Sequence, residues 1–272
     1  MKTINELMNA LNTSGENKVS AKSSKLFILG IMAGMYIAFG AIFFTTVTAF
    51  GGHGGAVRLL GGVTFSLGII LVVLAGAELF TGNNLMIVSL LNKKIKFQEL
   101  LKNWGIVYLG NFFGALLMVG LMILTKQYLQ DDGAIGQRVL NIANIKVNLE
   151  FSTAFSRAIL CNILVCLAIW VSMIAKSIPG KILGIVFPIS GFVAIGYEHC
   201  VANMYFVPMG VAVKKWASPS FWNLTGLNPL EYSNLEFCNF LTQNLIPVTL
   251  GNLFGGVFFV GFLYWFIHKD EA

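Results

Sequence analysis

Gly196-Tyr197-Glu198-His199-Cys200-Val201-Ala202-Asn203-Met204 places a carboxylate, an imidazole and an amide inside an apolar run long enough to cross a bilayer. Ionisable groups at that depth are costly, usually face a cavity or a partner, and so mark a pathway. An upstream stretch, Gly76-Ala77-Glu78-Leu79-Phe80-Thr81-Gly82-Asn83, carries the same pattern, Gly-x-Glu-x4-Asn, 120 residues earlier. Both lie in apolar segments too long for one crossing, about Arg58 to Asn92 and about Ile182 to Val213. A helix that stops, loops and restarts explains the length and the polarity together. Irregular backbone at membrane depth is tolerated where protein buries it or where it lines a water-filled cavity.

The rest of the chain sets the frame for these two stretches. Of 272 residues, 56% are hydrophobic and 11% charged, and the mean hydropathy is +0.76. A soluble domain carries roughly 25% charged residues, so the expected class is an all-α polytopic membrane protein. Four further crossings are expected, at about Leu26–Phe50, Trp104–Leu129, Leu149–Ala175 and Gln243–Ile267. Between them lie a basic loop from Asn92 to Asn103, a polar loop from Gln130 to Asn148 and a mixed loop from Lys214 to Thr242. His53 is read as a loop residue in a glycine-rich turn. The expected domains are a polar segment 1–25, a six-span channel domain 26–267 and a short tail 268–272. Within the first, Ile4, Leu7, Met8 and Leu11 recur at helical spacing, which predicts an amphipathic helix on the membrane surface. A disordered tail is the alternative. The polar start and the long first apolar run do not resemble a cleaved signal peptide.

Six crossings put both termini on one face. That face would hold eleven of the 18 Lys and Arg residues, which predicts cytoplasmic termini and an inner-membrane location. The four cysteines show no metal or disulfide spacing, and they read as packing residues. No metal, cofactor, nucleic-acid partner, catalytic residue or enzyme activity is expected.

The repeat extends beyond the first motif. Leu109-Gly110-Asn111-Phe112-Phe113-Gly114 is echoed by Leu250-Gly251-Asn252-Leu253-Phe254-Gly255. Two matched motifs in the same order indicate duplication of a three-span unit. Because three is odd, the second copy is inserted upside down, and the site falls near the midplane where the broken helices meet. Helix ends exposed there favour small anions. His199 is the only histidine within a span, and it can donate to an anion or exchange a proton. Thr81 is taken as its matching position in the first repeat. Glu78 and Glu198 could relay protons, but their symmetric placement favours a structural role in which they accept hydrogen bonds from the freed amides; Asn83 and Asn203 are expected to cap the broken ends, and Asn111 and Asn252 are further structural polar candidates. Leu79, Phe80 and Phe192 are candidates for an apolar constriction. Lys146 either draws anions to an entrance or snorkels at the interface.

Four stretches in order resemble the formate/nitrite transporter family: Glu198-His199-x-x-Ala202-Asn203-Met204, Glu78-Leu79-Phe80-Thr81-Gly82, Asn103-Trp104…Tyr108-x-Gly110-Asn111 and Pro247-Val248-Thr249-x-Gly251-Asn252. The resemblance runs from the first span to the sixth. It implies a homopentamer of aquaporin-like protomers in the lipid bilayer, each with its own pore for small inorganic or one-carbon anions. It matches His199 to the central pore histidine, Thr81 to the threonine of the broken second helix, Leu79 and Phe192 to constriction residues, and Lys146 to a vestibule lysine. After Thr81, Gly82-Asn83-Asn84 departs from the formate-type and nitrite-type loops, and so looks most like the hydrosulfide branch. Hydrosulfide is therefore the first expectation, with a dedicated formate or nitrite transporter as the alternative. Two rivals come from other classes. A neutral-solute channel of aquaporin type would usually carry two Asn-Pro-Ala boxes, and none occurs. A haem-bearing subunit commonly needs axial histidines, and only His199 lies within a span.

Overall fold

The computed structural model describes residues 3–50 and 54–269; His53 of the expected turn and residues 270–272 of the expected tail lie outside them. Helix α1 (Ile4–Ser20) leads into α2 (Ser23–Thr48) and α3 (Gly55–Ala75). A 3-10 turn at Gly82–Met86 then runs into α4 (Ile87–Leu91), followed by α5 (Phe97–Thr125). The second half opens with α6 (Ala134–Val147), α7 (Phe151–Ile174), α8 (Ile178–Ile195) and α9 (Cys200–Trp216). A short α10 (Pro219–Thr225) precedes a last helical run. This run comprises α11 (Phe237–Asn239), a π segment (Phe240–Leu245), α12 (Ile246–Phe254), a second π segment (Gly255–Phe262) and α13 (Leu263–His268). Six helical stretches among the described residues are long and apolar enough to span a bilayer. Pro247 lies two residues past the first π segment and brings no amide to the ladder, so a carbonyl of the preceding turn loses its helical partner there.

Two glycines break the long helices. Gly76 ends α3 at φ 74° and Gly196 ends α8 at φ 86°, the left-handed cap geometry that costs glycine nothing. Neither has a neighbour where a Cβ would point, so backbone conformation, not space, requires glycine there. Other glycines serve packing. A Cβ on Gly34 of α2 would meet the carbonyl oxygen of Asn111 on α5. One on Gly255 would meet that of Ile159 on α7. These contacts bring helix backbones together, as small residues do within membranes.

Two segments differ from the sequence expectation. The 130–148 stretch is mostly helix: Ile135, Val139, Leu140, Ile142, Ala143 and Val147 form a buried stripe on α6, a periodicity masked by its polar flanks. Helix α1 does form, with a Thr3–Glu6 capping box, but it lies on the protein. Leu7 and Met8 are fully buried among Leu85, Val88, Trp170 and Val260. Ser89 Oγ donates to the Leu11 carbonyl at 3.1 Å, and Gly15 sits where any side chain would strike Ser89. The stripe therefore covers the restarted half of the first broken helix, leaving no apolar face for lipid.

Candidate functional site

After each break an asparagine from the other end of the same repeat unit takes over the freed backbone. Asn111 Oδ1 accepts from the Phe80 amide at 2.9 Å, and its Nδ2 donates to the carbonyls of Gly30 and Glu78, both at 2.9 Å. Asn252 does the same for the second break. It accepts from the Cys200 amide at 2.9 Å and donates to the carbonyls of Ala158 at 2.8 Å and Glu198 at 3.0 Å. Each side chain satisfies three buried backbone groups that would otherwise carry a desolvation cost.

The carboxylates work differently from the expectation. Glu198 does not hold freed amides: Lys146 Nζ donates to both of its oxygens at 2.9 Å, and Asn203 Nδ2 adds a bond at 2.6 Å. Asn203 also donates to Asn244 Oδ1 at 2.8 Å. Glu78 has the same surroundings, with Lys18 Nζ at 2.5 Å and Asn83 Nδ2 at 2.7 Å, and Asn83 reaches Asn103 Oδ1 at 2.9 Å. Asn83 and Asn203 thus join carboxylate to scaffold and do not cap the broken ends. Lys18 and Asn244 carry no expectation from sequence and Asn103 enters it only within a family-like motif, yet each has a repeat counterpart. Lys146 follows Lys18 by the same 128 residues that separate Ala158 from Gly30. The repeat therefore starts upstream of the spans, and α6 is the structural twin of α1.

His199 is 2% exposed and Thr81 is fully buried. Their Oγ1 and Nε2 atoms lie 2.9 Å apart. His199 is the N-cap of α9, with Nδ1 accepting from the Ala202 amide at 3.1 Å. That bond fixes the roles: Nδ1 is occupied as an acceptor, so Nε2 carries the proton of the neutral ring and donates it to Thr81. The Thr81 hydroxyl keeps its own proton free to donate. The two residues face each other but are not repeat equivalents, contrary to the sequence expectation: 120 residues before His199 stands Leu79. One repeat supplies a leucine where the other supplies the histidine.

Two cavities approach this pair from opposite ends of α2 and share no lining residue. One, of about 780 Å3, includes Lys18, Lys25, Glu78 and Leu79. The other, of about 330 Å3, includes Arg58, Arg138, Lys146, Arg157, Phe192, Glu198 and His199. Leu79 lines the larger space and Phe192 the smaller, both nearly fully buried at 3% and 2% exposed, and the Phe192 ring centroid is 6.1 Å from that of His199. Phe80 is different. Its ring packs edge-on against Tyr108 at 4.8 Å and against Trp104 at 6.4 Å, and it lines neither cavity, so it braces α5. Lys146 lies beside its cavity but is already paired, with its Nζ also 5.5 Å from the Phe206 ring centroid. The cysteines form no disulfide, and Cys161, Cys166 and Cys200 are buried. Among the described residues no cluster of metal-ligating side chains occurs.

Residues 5–266 match the family model described as formate/nitrite transporter. The formate channel FocA of Escherichia coli strain K12 is 43% identical over 262 residues, covering 95% of this chain and 91% of that protein. The formate channel FocA of Haemophilus influenzae is 39% identical over 262 residues, covering 94% and 92%. A solved structure described as a pentameric formate channel with formate bound is 43% identical with a TM-score of 0.84, covering 91% of this chain and 98% of that one.

Proposed function

The chain belongs to the formate/nitrite transporter family, and from that membership and its pore geometry we propose that it is a homopentameric inner-membrane channel for small monovalent anions, with formate foremost. Both termini would be cytoplasmic, and each protomer would carry its own pore. The relatives named above are formate channels, and they favour formate over hydrosulfide. The loop that suggested hydrosulfide is a poor guide to substrate, because its residues serve the scaffold. Asn83 binds Glu78 and Asn103, and Asn84 binds the Phe80 carbonyl and Asn162.

The observation that carries this reading is the 2.9 Å Thr81–His199 contact between two cavities. An anion crossing between Leu79 and Phe192 must shed water in an apolar gap, which is costly unless donors replace that water. The pair presents donors: His199 Nε2–H supports Thr81, and the Thr81 hydroxyl proton turns to the anion. The cap on Nδ1 favours hydrogen-bond donation over transfer of a full proton from His199. Glu78 and Glu198, each neutralised by a lysine, would leave no free negative charge at the approach.

The test is a side-by-side flux assay of formate, nitrite and hydrosulfide in proteoliposomes, with wild type and His199→Phe. Formate flux in wild type and an altered rate and pH profile in the variant are expected. Intact solute swelling without anion flux would make the protein a neutral-solute channel. An unchanged profile in His199→Phe would remove the histidine from the mechanism.

A further inference from the structure

The two vestibules differ in charge. The smaller one is lined by Arg58, Arg138, Lys146 and Arg157 against a single carboxylate, Glu198. That carboxylate is fully engaged by Lys146 and Asn203, so among the described residues three guanidiniums remain without a counter-ion in the lining. Among the described residues the larger vestibule has only Lys25 in excess, because Lys18 is paired with Glu78.

Arg138 is braced. Its Nε donates to Thr48 Oγ1 at 3.0 Å, and its guanidinium carbon lies 5.8 Å from the centroid of the Phe44 ring. Its terminal amino groups have no acceptor among the described residues. Burial and the charge of Arg58 both push the Arg138 guanidinium below its ordinary value, so the two side chains feel each other without compensation. A forked, fixed guanidinium that shares a cavity with a second one suits bidentate oxyanions, carboxylates among them. Three excess positive charges suit a doubly charged ligand better than a singly charged one. The desolvation cost of an ion grows with the square of its charge, so such a ligand could enter the vestibule but not cross between Phe192 and Leu79.

We propose that the Arg138 vestibule is a binding site for small dicarboxylates, held between Arg138 and Arg58, and that occupancy blocks conduction from that side alone. The blocking part rests on the channel reading above; the binding part does not.

The experiment uses the full-length protein in detergent at low ionic strength, titrated calorimetrically with oxalate. Saturable binding of one oxalate per protomer is expected in wild type. Loss of one charge-assisted contact should weaken it about tenfold or more in Arg138→Gln and in Arg58→Gln. Arg58 is exposed on the first turn of α3, so its variant keeps the test valid if Arg138→Gln fails to fold. Non-saturable heats, or equal affinity in all three proteins, would overturn the site. In proteoliposomes, oxalate added at the Arg138 face should inhibit formate flux, whereas oxalate at the α1 face should not; equal inhibition from both faces would overturn the one-sided block. Oxalate binding without any formate flux would sink the channel reading and spare the site, and formate flux without saturable oxalate binding would do the reverse.

Discussion

His199 has two roles that single substitutions can separate. Its Nδ1 caps α9 and its Nε2 meets Thr81. Asparagine is a good N-cap, so His199→Asn should keep the half-helix and lose the Thr81 contact. Formate flux should fall while the melting temperature stays close to wild type; a cap worth about 1 kcal/mol sets the scale of what is preserved. Equal loss of stability in His199→Asn and His199→Ala would mean that asparagine does not replace the cap. The Lys146–Glu198 pair makes a second residue-scale prediction. With side chains only 13% and 5% exposed, Lys146→Met leaves a buried carboxylate unpaired, a change that costs about 3–5 kcal/mol. Lys146→Met/Glu198→Gln should recover most of that loss, and Lys18→Met should be milder because that pair is wetter, at 22% and 12%. Thermal unfolding in detergent reads all three, and a double variant no more stable than Lys146→Met would refute the pairing argument.

At the scale of elements, glycines separate strain from contact. Gly196→Ala meets no neighbour, so its expected cost is the left-handed φ alone, about 1–2 kcal/mol. Gly34→Ala drives a methyl into the Asn111 carbonyl and should cost more, up to about 3 kcal/mol with loss of the α2–α5 fit. The order of melting temperatures should be wild type, then Gly196→Ala, then Gly34→Ala; the reverse order would mean that backbone approach does not limit this pair of helices. Helix α1 offers a third case. Gly15→Val would collide with Ser89, and α1 should then lift from α4 with little effect on the spans. Faster hydrogen exchange confined to α1 is the expected signature; exchange like wild type would show that α1 and α4 can shift to make room.

At the scale of the whole molecule, the duplicated unit is a helix followed by three crossings. Each unit carries the chain to the opposite face, so the second copy is inverted and the two breaks meet. Each broken helix is then held by the last span of its own unit, through Asn111 or Asn252. Helices α5 and α8 leave large apolar side chains outward, among them Leu109, Phe113 and Leu117 on one, and Leu183 and Phe187 on the other. Such faces suit lipid or sister subunits. Native mass spectrometry in lipid-like detergent is expected to give five copies of the 29.7 kDa chain; a monomer under conditions that retain flux would remove the pentamer.

The sequence by itself determined the membrane class, the six crossings, the two broken helices and the repeat that pairs them. Hydropathy and spacing along the chain are local properties, and glycine and glutamate inside an apolar run stand out without any neighbour. It also marked His199, Thr81, Leu79, Phe192 and Lys146 as residues to follow. Only the tertiary structure decided their partners. That Glu78 and Glu198 face lysines instead of amides depends on where α1 and α6 dock, and amphipathic periodicity does not say which surface a stripe will cover. Phe80 lines neither cavity because its ring packs against Trp104 and Tyr108 of α5, and where α5 docks is not written in the break itself. The 120-residue offset already sets Leu79 in one repeat against His199 in the other, but the opposition of Thr81 and His199 exists only once the two halves are folded together. A contact between atoms 118 residues apart is set by the packing of whole helices, and no local pattern encodes it.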